Sequence, residues 1–328
     1  MSPSFVCLSG SYLEPREWLM TVSYRRYHAF RDYQGDRDLP VPSPPEIYAD
    51  THVNIVDFMV TRALTSRFSV SLEMPFEWAS RTTYLEHDGD SLHTMRSRGF
   101  GDARIFGNVW VLDPVKNSHQ NVSLKVGLKT PSGARAVKDN SFRETGPVLR
   151  PVDPAIQPAT GGWGVVLGAQ GFKSVLKSAF VYFDGTYLIN PKEMNGTESA
   201  FADRPEITGG DIGYMVDSVP DQYQARVGIS QGILPRYGLA GTIGLRTDGL
   251  PAHDWFGGSD GYRLPGYTIS LEPGVTVSQG KNFFSVSVPI TVKGHGSVSV
   301  ADHRTSSPYA GIVTLADHQM VFSYSRRF

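Results

Sequence analysis

The chain has 328 residues, with 34 Gly, 22 Pro, 40% hydrophobic residues and a formal net charge of -1. No apolar run approaches the ~18 residues of a transmembrane helix. Near-zero charge without a basic, aromatic-studded stripe leaves no footprint for nucleic acid. A mean hydropathy of -0.23 still permits a membrane β-barrel, whose strands alternate and dilute their own hydropathy. The single Cys7 can form neither an internal disulfide nor a zinc site. Residues 1–16 open M-S-P-S-F-V-C-L-S-G, with no basic region and too short an apolar core for a complete signal peptide. They are expected to be a leader remnant, with the start of the exported protein upstream of residue 1.

From Glu17 onward the chain reads as strands. Side chains alternate across a strand with a period of two. In strand one, Trp18, Met20, Val22 and Tyr24 oppose Thr21, Ser23 and Arg25. A polar, Pro-rich connection follows, from Arg26 to Glu46. Strand two, Val53 to Arg62, is the least regular, with Val56, Phe58 and Val60 against Asp57 and Met59. Strand three sets Phe68, Val70, Leu72, Met74, Phe76 and Trp78 against Ser69, Ser71, Glu73, Pro75 and Glu77. Pro75 predicts a bulge or local irregularity, because proline cannot donate to a ladder. Ala79 to Arg98 reads as a loop.

Strand four, Gly99 to Val111, puts Asp102, Arg104 and Asn108 on one face. Strand five, Val122 to Thr130, alternates without a fault. After a connection that reaches Gly161, strands six (from Trp163) and seven (to Tyr187) form a hairpin. Residues 190–222 read as loop, with room for one hidden hairpin at 200–219. Strands eight and nine flank Pro235-Arg236-Tyr237-Gly238, and strands ten and eleven flank Ser278-Gln279-Gly280-Lys281. Strand twelve carries His318, Met320, Phe322, Tyr324 and Phe328 on one parity.

Long connections follow strands 1, 3, 5, 7, 9 and 11, and short ones follow the rest. That rhythm is expected of an all-β, antiparallel up-and-down transmembrane barrel with short periplasmic turns and long extracellular loops. Residues 17–328 then form one domain of about 12 strands, or 14 if the hidden hairpin joins, each near ~9–11 residues long. The apolar parity must face lipid and the polar parity the lumen. Trp18, Trp78 and Trp163 are expected at the two membrane interfaces, and Phe328 as a terminal aromatic read by the barrel-assembly machinery.

Four segments carry a family resemblance: G-F-G-D-A-R-I-F-G (99–107), N-V-S-L-K-V-G-L-K-T-P-S-G (121–133), Q-P-A-T-G-G-W-G (157–164) and F-D-G-T-Y-L-I-N-P (183–191). In this order the chain resembles the outer-membrane transporter family named for the meta-pathway of phenol degradation. The resemblance implies a Gram-negative outer-membrane barrel, in contact with lipid and lipopolysaccharide, that takes up small, often hydrophobic or aromatic solutes.

The inward parity supplies the candidate pore-lining residues. Acids fall on strands two to four and ten (Asp57, Glu73, Glu77, Asp102, Glu272), and bases chiefly on five, eight and nine (Lys125, Lys129, Arg226, Arg246), with Arg104, Arg25 and Arg327 besides. Bare charges are not left unpaired in a low-dielectric interior. They form either ion pairs that brace or plug the lumen, or opposed walls whose transverse field orients a solute.

A surface enzyme of lipase or protease type, or an adhesive barrel, is the alternative reading. Glu86, His87, Asp88, Asp90 and His93, with His253-Asp254 and Asp302-His303, could imitate an acid/base or metal cluster. None sits in a G-x-S-x-G, H-E-x-x-H or EF-hand frame, so no catalytic residue, metal or cofactor is expected. The loop from Thr130 to Gly161, stiffened by five prolines, is expected to fold into the mouth, with its basic residues pairing to Glu77 and Asp102.

Overall fold

Backbone amides inside a bilayer must all be bonded, and a sheet achieves this only by closing on itself. The computed structural model describes residues 12–40, 48–84, 86–89, 91–204, 209–305 and 309–328; Cys7, Asp90 and residues 41–46 of the Pro-rich connection lie outside them. Its wall consists of β1 (Trp18–Gln34), β2 (Ala49–Ala63), β3 (Phe68–Thr83), β4 (His93–Phe100 and Arg104–Trp110), β5 (Gln120–Lys129) and β6 (Gly164–Leu176). It continues with β7 (Ala179–Ile189), β8 (Gln222–Leu234), β9 (Leu239–Leu250), β10 (Gly266–Gln279), β11 (Asn282–Ser287 and Ile290–Gly296) and β12 (Ile312–Arg327).

Each strand pairs antiparallel with the next. β12 returns to β1 in a ladder from Leu19↔Arg327 to Gln34↔Ile312. Trp18 and Phe328 exchange backbone hydrogen bonds at its end. This is a closed twelve-strand barrel. The described residues of 200–219 add no wall strands, because Met194–Glu198 pairs with Val216–Ser218 in a separate small sheet.

The outward face explains where sequence alternation stops. On β3 it is apolar from Phe68 to Trp78 and then turns to Ser80 and Thr82. On β2 the partners of Trp78 and Ser80 are Asn54 and His52. Wall beyond Trp78 therefore stands clear of hydrocarbon, and β1 to β4 run well past their predicted ends. The expected loop 79–98 contracts to residues 84–92. Trp78 is consequently not at a strand end but at the level where the outward face changes character. There its ring stacks on Tyr24 (6.1 Å). Trp18 lies at the short-turn end beneath the Arg62 guanidinium, and Trp163 is 60% exposed just before β6.

Two prolines interrupt the wall in the same way. Pro75 pairs in register with Asp57 of β2, but opposite it on the other side β4 breaks between Phe100 and Arg104. Gly101 donates to the Pro75 carbonyl at 2.8 Å. An added Cβ on Gly101 would lie 2.7 Å from the proline ring, which restricts this position to glycine. Pro273 of β10 likewise faces the break in β11, where Val288 donates to its carbonyl at 3.0 Å. The irregularity expected at Pro75 is thus displaced onto the neighbouring strand.

Leu72→Arg, which places a cation on the lipid face below Trp78, should lower stability by about 2–4 kcal/mol, and Ser80→Arg by no more than about 1 kcal/mol. Urea-dependent folding into lipid vesicles measures both. Equal costs would mean that Trp78 does not mark the interface.

The barrel lumen and its outer vestibule, a candidate functional site

The charged residues expected to line the lumen are placed as follows. Asp57, Glu73, Glu77, Asp102, Arg104, Lys125, Lys129, Arg246 and Glu272 are buried, and the Arg226 side chain is 12% exposed. Registry creates a like-charge problem, because Arg226 and Arg246 are direct cross-strand partners and opposed cations repel. Acids on both flanks offset it. Asp184 lies 3.7 Å from Arg226, and Glu272 lies 3.9 Å from Arg226 and 3.8 Å from Arg246. Asp248 grips Arg246 through two bonds of 2.7 and 2.8 Å. On the other side Arg104 pairs with Glu73 at 3.5 Å.

From β4 to β10 the signs are therefore interleaved along the wall rather than sorted to opposite walls. Asp57, Glu73 and Glu77 lie together on β2 and β3 with Arg104 beside Glu73, and no protein hydrogen bond reaches either carboxylate oxygen of Glu73 or Glu77. Asp184 and Asp248 complete the network and were absent from the expected set. Asp184 could have been found, since it sits on the polar parity of strand seven.

Asp102 has a different role. The break in β4 turns its carboxylate toward the long-loop end. There it accepts the N–H of Gly133 and the N–H of Gly161, both at 3.0 Å, and faces the Lys129 ammonium at 3.5 Å. Lys129 also donates to Thr160 at 2.5 Å. The ends of the 130–161 connection are thereby drawn into the mouth, and Val152, Asp153, Ile156 and Ala159 are buried there. Val152 and Ile156 pack on the inward residues Val53, Ile55, Ala79 and Met95. The irregular pattern of strand two has this cause: its outer half meets protein on the inside.

The loop folds in as expected, but its basic residues do not pair with Glu77 or Asp102. Arg143 and Arg150 reach Asp203 at 3.1 and 3.2 Å, because the hairpin Lys138–Arg143/Gly146–Pro151 carries them outward to the next loop.

Above the charged layer is a cavity of about 270 Å³. Tyr27, Ile55, Ala159, Leu250, Leu264 and Leu315 give it apolar walls, while Arg25, Asp217, Gln222 and Gln319 give it polar ones. A second cavity, about 120 Å³, lies toward the short-turn end and includes Thr21, Met59 and Lys125. On β2 the order is Ile55 in the outer cavity, Asp57 between, and Met59 in the inner one. The charged belt separates the two.

Asp217 is the feature of the vestibule that sequence reasoning missed, since it lies in a Gly- and Asp-rich loop with no periodicity. It is 1% exposed, and neither carboxylate oxygen has a hydrogen-bond partner. Burial, and secondarily the nearby Asp153, raises its carboxyl well above the ordinary range. Oxygen atoms of Gln222 and Gln319 are likewise unpartnered.

Several of the described loop groups that could imitate a catalytic cluster are engaged in packing. Glu86 accepts from Arg81 at 2.6 Å. Asp254 is held by two bonds from Arg263 at 2.8 and 2.7 Å. Asp302 accepts from the Tyr214 hydroxyl and from the Ser299 N–H. Asp88 lies 3.8 Å from His93. His87 is fully buried, and its Nδ1 accepts the Phe142 N–H at 3.1 Å, fastening the 138–151 hairpin to loop 84–92.

Among solved structures the chain is similar to an outer-membrane channel from Pseudomonas putida F1. The TM-score is 0.63 at 13% identity, covering 99% of this chain and 100% of that one. The translocator domain of the autotransporter NalP from Neisseria meningitidis gives 0.49 at 8% identity, covering 97% and 91%. The toluene transporter TodX from P. putida gives 0.45 at 8%, covering 97% and 91%. At these identities the likeness to the first is one of fold. No family model matches the chain, and no curated protein does.

Burial, then His93 and Arg143, lowers the His87 imidazole to about 4. The folded state therefore binds fewer protons than the unfolded one between about pH 6.5 and about pH 4. The stabilisation from His87 is complete above that window and is lost as pH falls through it. Hydrogen exchange across residues 138–151 should accelerate over this range, and His87→Gln, whose amide oxygen can still accept from Phe142, should flatten the profile. Identical acid profiles would exclude His87 as the cause.

Proposed function

We propose that the protein is a bacterial outer-membrane channel that takes up a small amphipathic solute passively. The observation that carries this reading is the vestibule of about 270 Å³ inside the barrel mouth, with mixed apolar and polar walls, directly above a belt of wall charges. Ligand sites are concave and mostly apolar, with a few polar groups that fix orientation, and this cavity has that character. The barrel fold shared with the P. putida channel supports the location and the transport class. An apolar body would rest on Ile55, Leu250, Leu264 and Leu315, while a donor group would meet Asp217, Gln222 or Gln319. The charged belt then acts as the narrow step that a solute passes toward the periplasm, and Asp57, Glu73, Glu77, Lys125, Arg226, Arg246 and Glu272 set its selectivity. A catalytic function is not part of this reading, since Glu86, His87, Asp254 and Asp302 are already bonded to structural partners.

Two experiments test it. Proteoliposomes should admit small uncharged aromatic or alicyclic solutes faster than empty vesicles. Thr268→Trp, which fills the vestibule from β10, should return uptake to the empty-vesicle rate. If wild-type and empty vesicles behave alike, the channel reading fails.

The second concerns Asp217. Its raised carboxyl makes the folded protein lose stability as pH climbs above the ordinary carboxylate range, because the folded state then retains a proton the unfolded state has released. Asp217→Asn should raise stability by about 1–3 kcal/mol at neutral pH and change it little in strong acid, while slowing uptake of solutes that carry a donor. A variant that is less stable at neutral pH would show that Asp217 is held by a structural partner.

A further inference from the structure

We propose that His28, Asp50 and His52 form a binding site for one divalent transition-metal ion on the outer wall of the barrel, across the strands that close it. The site lies outside the lumen and is independent of the channel reading. His28 of β1 and His52 of β2 are direct cross-strand partners, and their rings stack at 4.1 Å between centroids. Asp50, two residues before His52 on the same face, completes the set. Its Oδ1 lies 2.6 Å from His28 Nε2 and 3.5 Å from His52 Nε2. One ligand atom from each of the three lies within 4.8 Å of the others.

Zinc bonds of about 2.0–2.1 Å at tetrahedral angles place ligand atoms about 3.3 Å apart. The His28–Asp50 contact must therefore open by about 0.7 Å, which side-chain rotation alone provides. Two neutral imidazoles and a carboxylate suit zinc, copper or nickel far better than magnesium or calcium. Water can fill the fourth position, because all three side chains are about a quarter to two-fifths exposed.

A second observation marks this place. His318 of β12 pairs with His28 from the other side, and its ring centroid is 5.9 Å from that of His28, close enough to supply a fourth ligand after rotation. Three histidines thus lie side by side on β12, β1 and β2, next to and across the closing seam of β12 with β1. The seam ladder is irregular at this point, with register shifts between His28 and Ala29 and between Ala29 and Arg31. The outward face here is already past the level of Trp78, so a hydrated ion can reach it. Arg26 and Asn54 form the next outward pair on these strands; the guanidinium opposes a cation, and the Asp50 carboxylate offsets it. With His318 as fourth ligand, a bound ion would also clamp the β12–β1 seam where its ladder is irregular.

The test uses the untagged full chain, folded in detergent and freed of metal with a chelator. Titration with Zn²⁺ alone should give one equivalent of tight binding and raise the temperature of the heat-dependent gel shift. Cu²⁺ alone should show nitrogen hyperfine coupling from at least two imidazoles. His28→Gln retains a donor to Asp50 and so protects the fold, as the metal-free gel shift will report. It should weaken binding by more than about tenfold, and His28→Gln with His52→Gln should abolish it. His93→Gln, which alters the separate His87–His93 pair between loop 84–92 and β4, should leave binding intact. Undiminished binding in the double variant, or loss in His93→Gln alone, would overturn the assignment, as would the absence of stoichiometric binding in the parent.

Discussion

The carboxylate of Asp102 is the contact on which the shape of the lumen depends. A carboxylate in a protein interior needs several donors or a cation, and here it has the N–H groups of Gly133 and Gly161 and the Lys129 ammonium. Those donors come from three different segments, so satisfying one acid fixes both ends of a connection of about thirty residues inside the mouth. The glycines are required by space. An added Cβ on Gly133 would lie 2.5 Å from Ala159 Cβ and 2.5 Å from the Gly101 carbonyl carbon. With the loop seated, Val152 and Ile156 cover the apolar inner wall of β2 to β4, and the vestibule acquires its floor-to-rim lining.

Asp102 can turn that way because Pro75 lacks an N–H. A strand opposite a proline loses a ladder bond, and β4 resolves the loss by breaking at residues 101–103. The same device recurs at Pro273 and the 288–289 break in β11, on another part of the wall. In both cases a missing donor in one strand becomes a bend in its neighbour.

The barrel was legible because hydrocarbon imposes a period of two on any strand that crosses it. Ile105, Leu124, Val227 and Ile243 are outward for the same reason that Arg104, Lys125, Arg226 and Gly244 are inward, and loop lengths supplied the order. Legibility ended where lipid ends. Beyond Trp78 the outward residues Ser80, His52 and His28 are polar, so both faces read alike, although the hydrogen-bonded ladder continues through Thr83 and Gln34. It failed again where lumen meets loop, since Val53 and Ile55 look misplaced until Val152 and Ile156 are set against them. Asp217, the His28–Asp50–His52 group and the Asp203 contacts of Arg143 and Arg150 depend on which segments meet in space, and no periodicity encodes that.

The charged belt and the vestibule place opposite demands on the same barrel. A wall in which Arg226 opposes Arg246 is stable only with Asp184, Asp248 and Glu272 beside it, and removing one member of such a set leaves a buried charge unpaired. The belt is therefore locked by its own electrostatics and gives the lumen a rigid waist. The vestibule above is under-bonded instead, with acceptor atoms of Asp217, Gln222 and Gln319 lacking protein partners. Polar groups left unpaired at a cavity lower stability in the empty protein and reward whatever molecule brings donors to them. In the proposed channel, rigidity at the waist and unmet hydrogen bonding at the mouth would together favour solutes that are apolar enough to fit the Ile55–Leu315 walls and carry a donor for the polar side. A fully apolar solute would leave those acceptors buried and unpaired, and a large ion would have to displace the belt's own pairs.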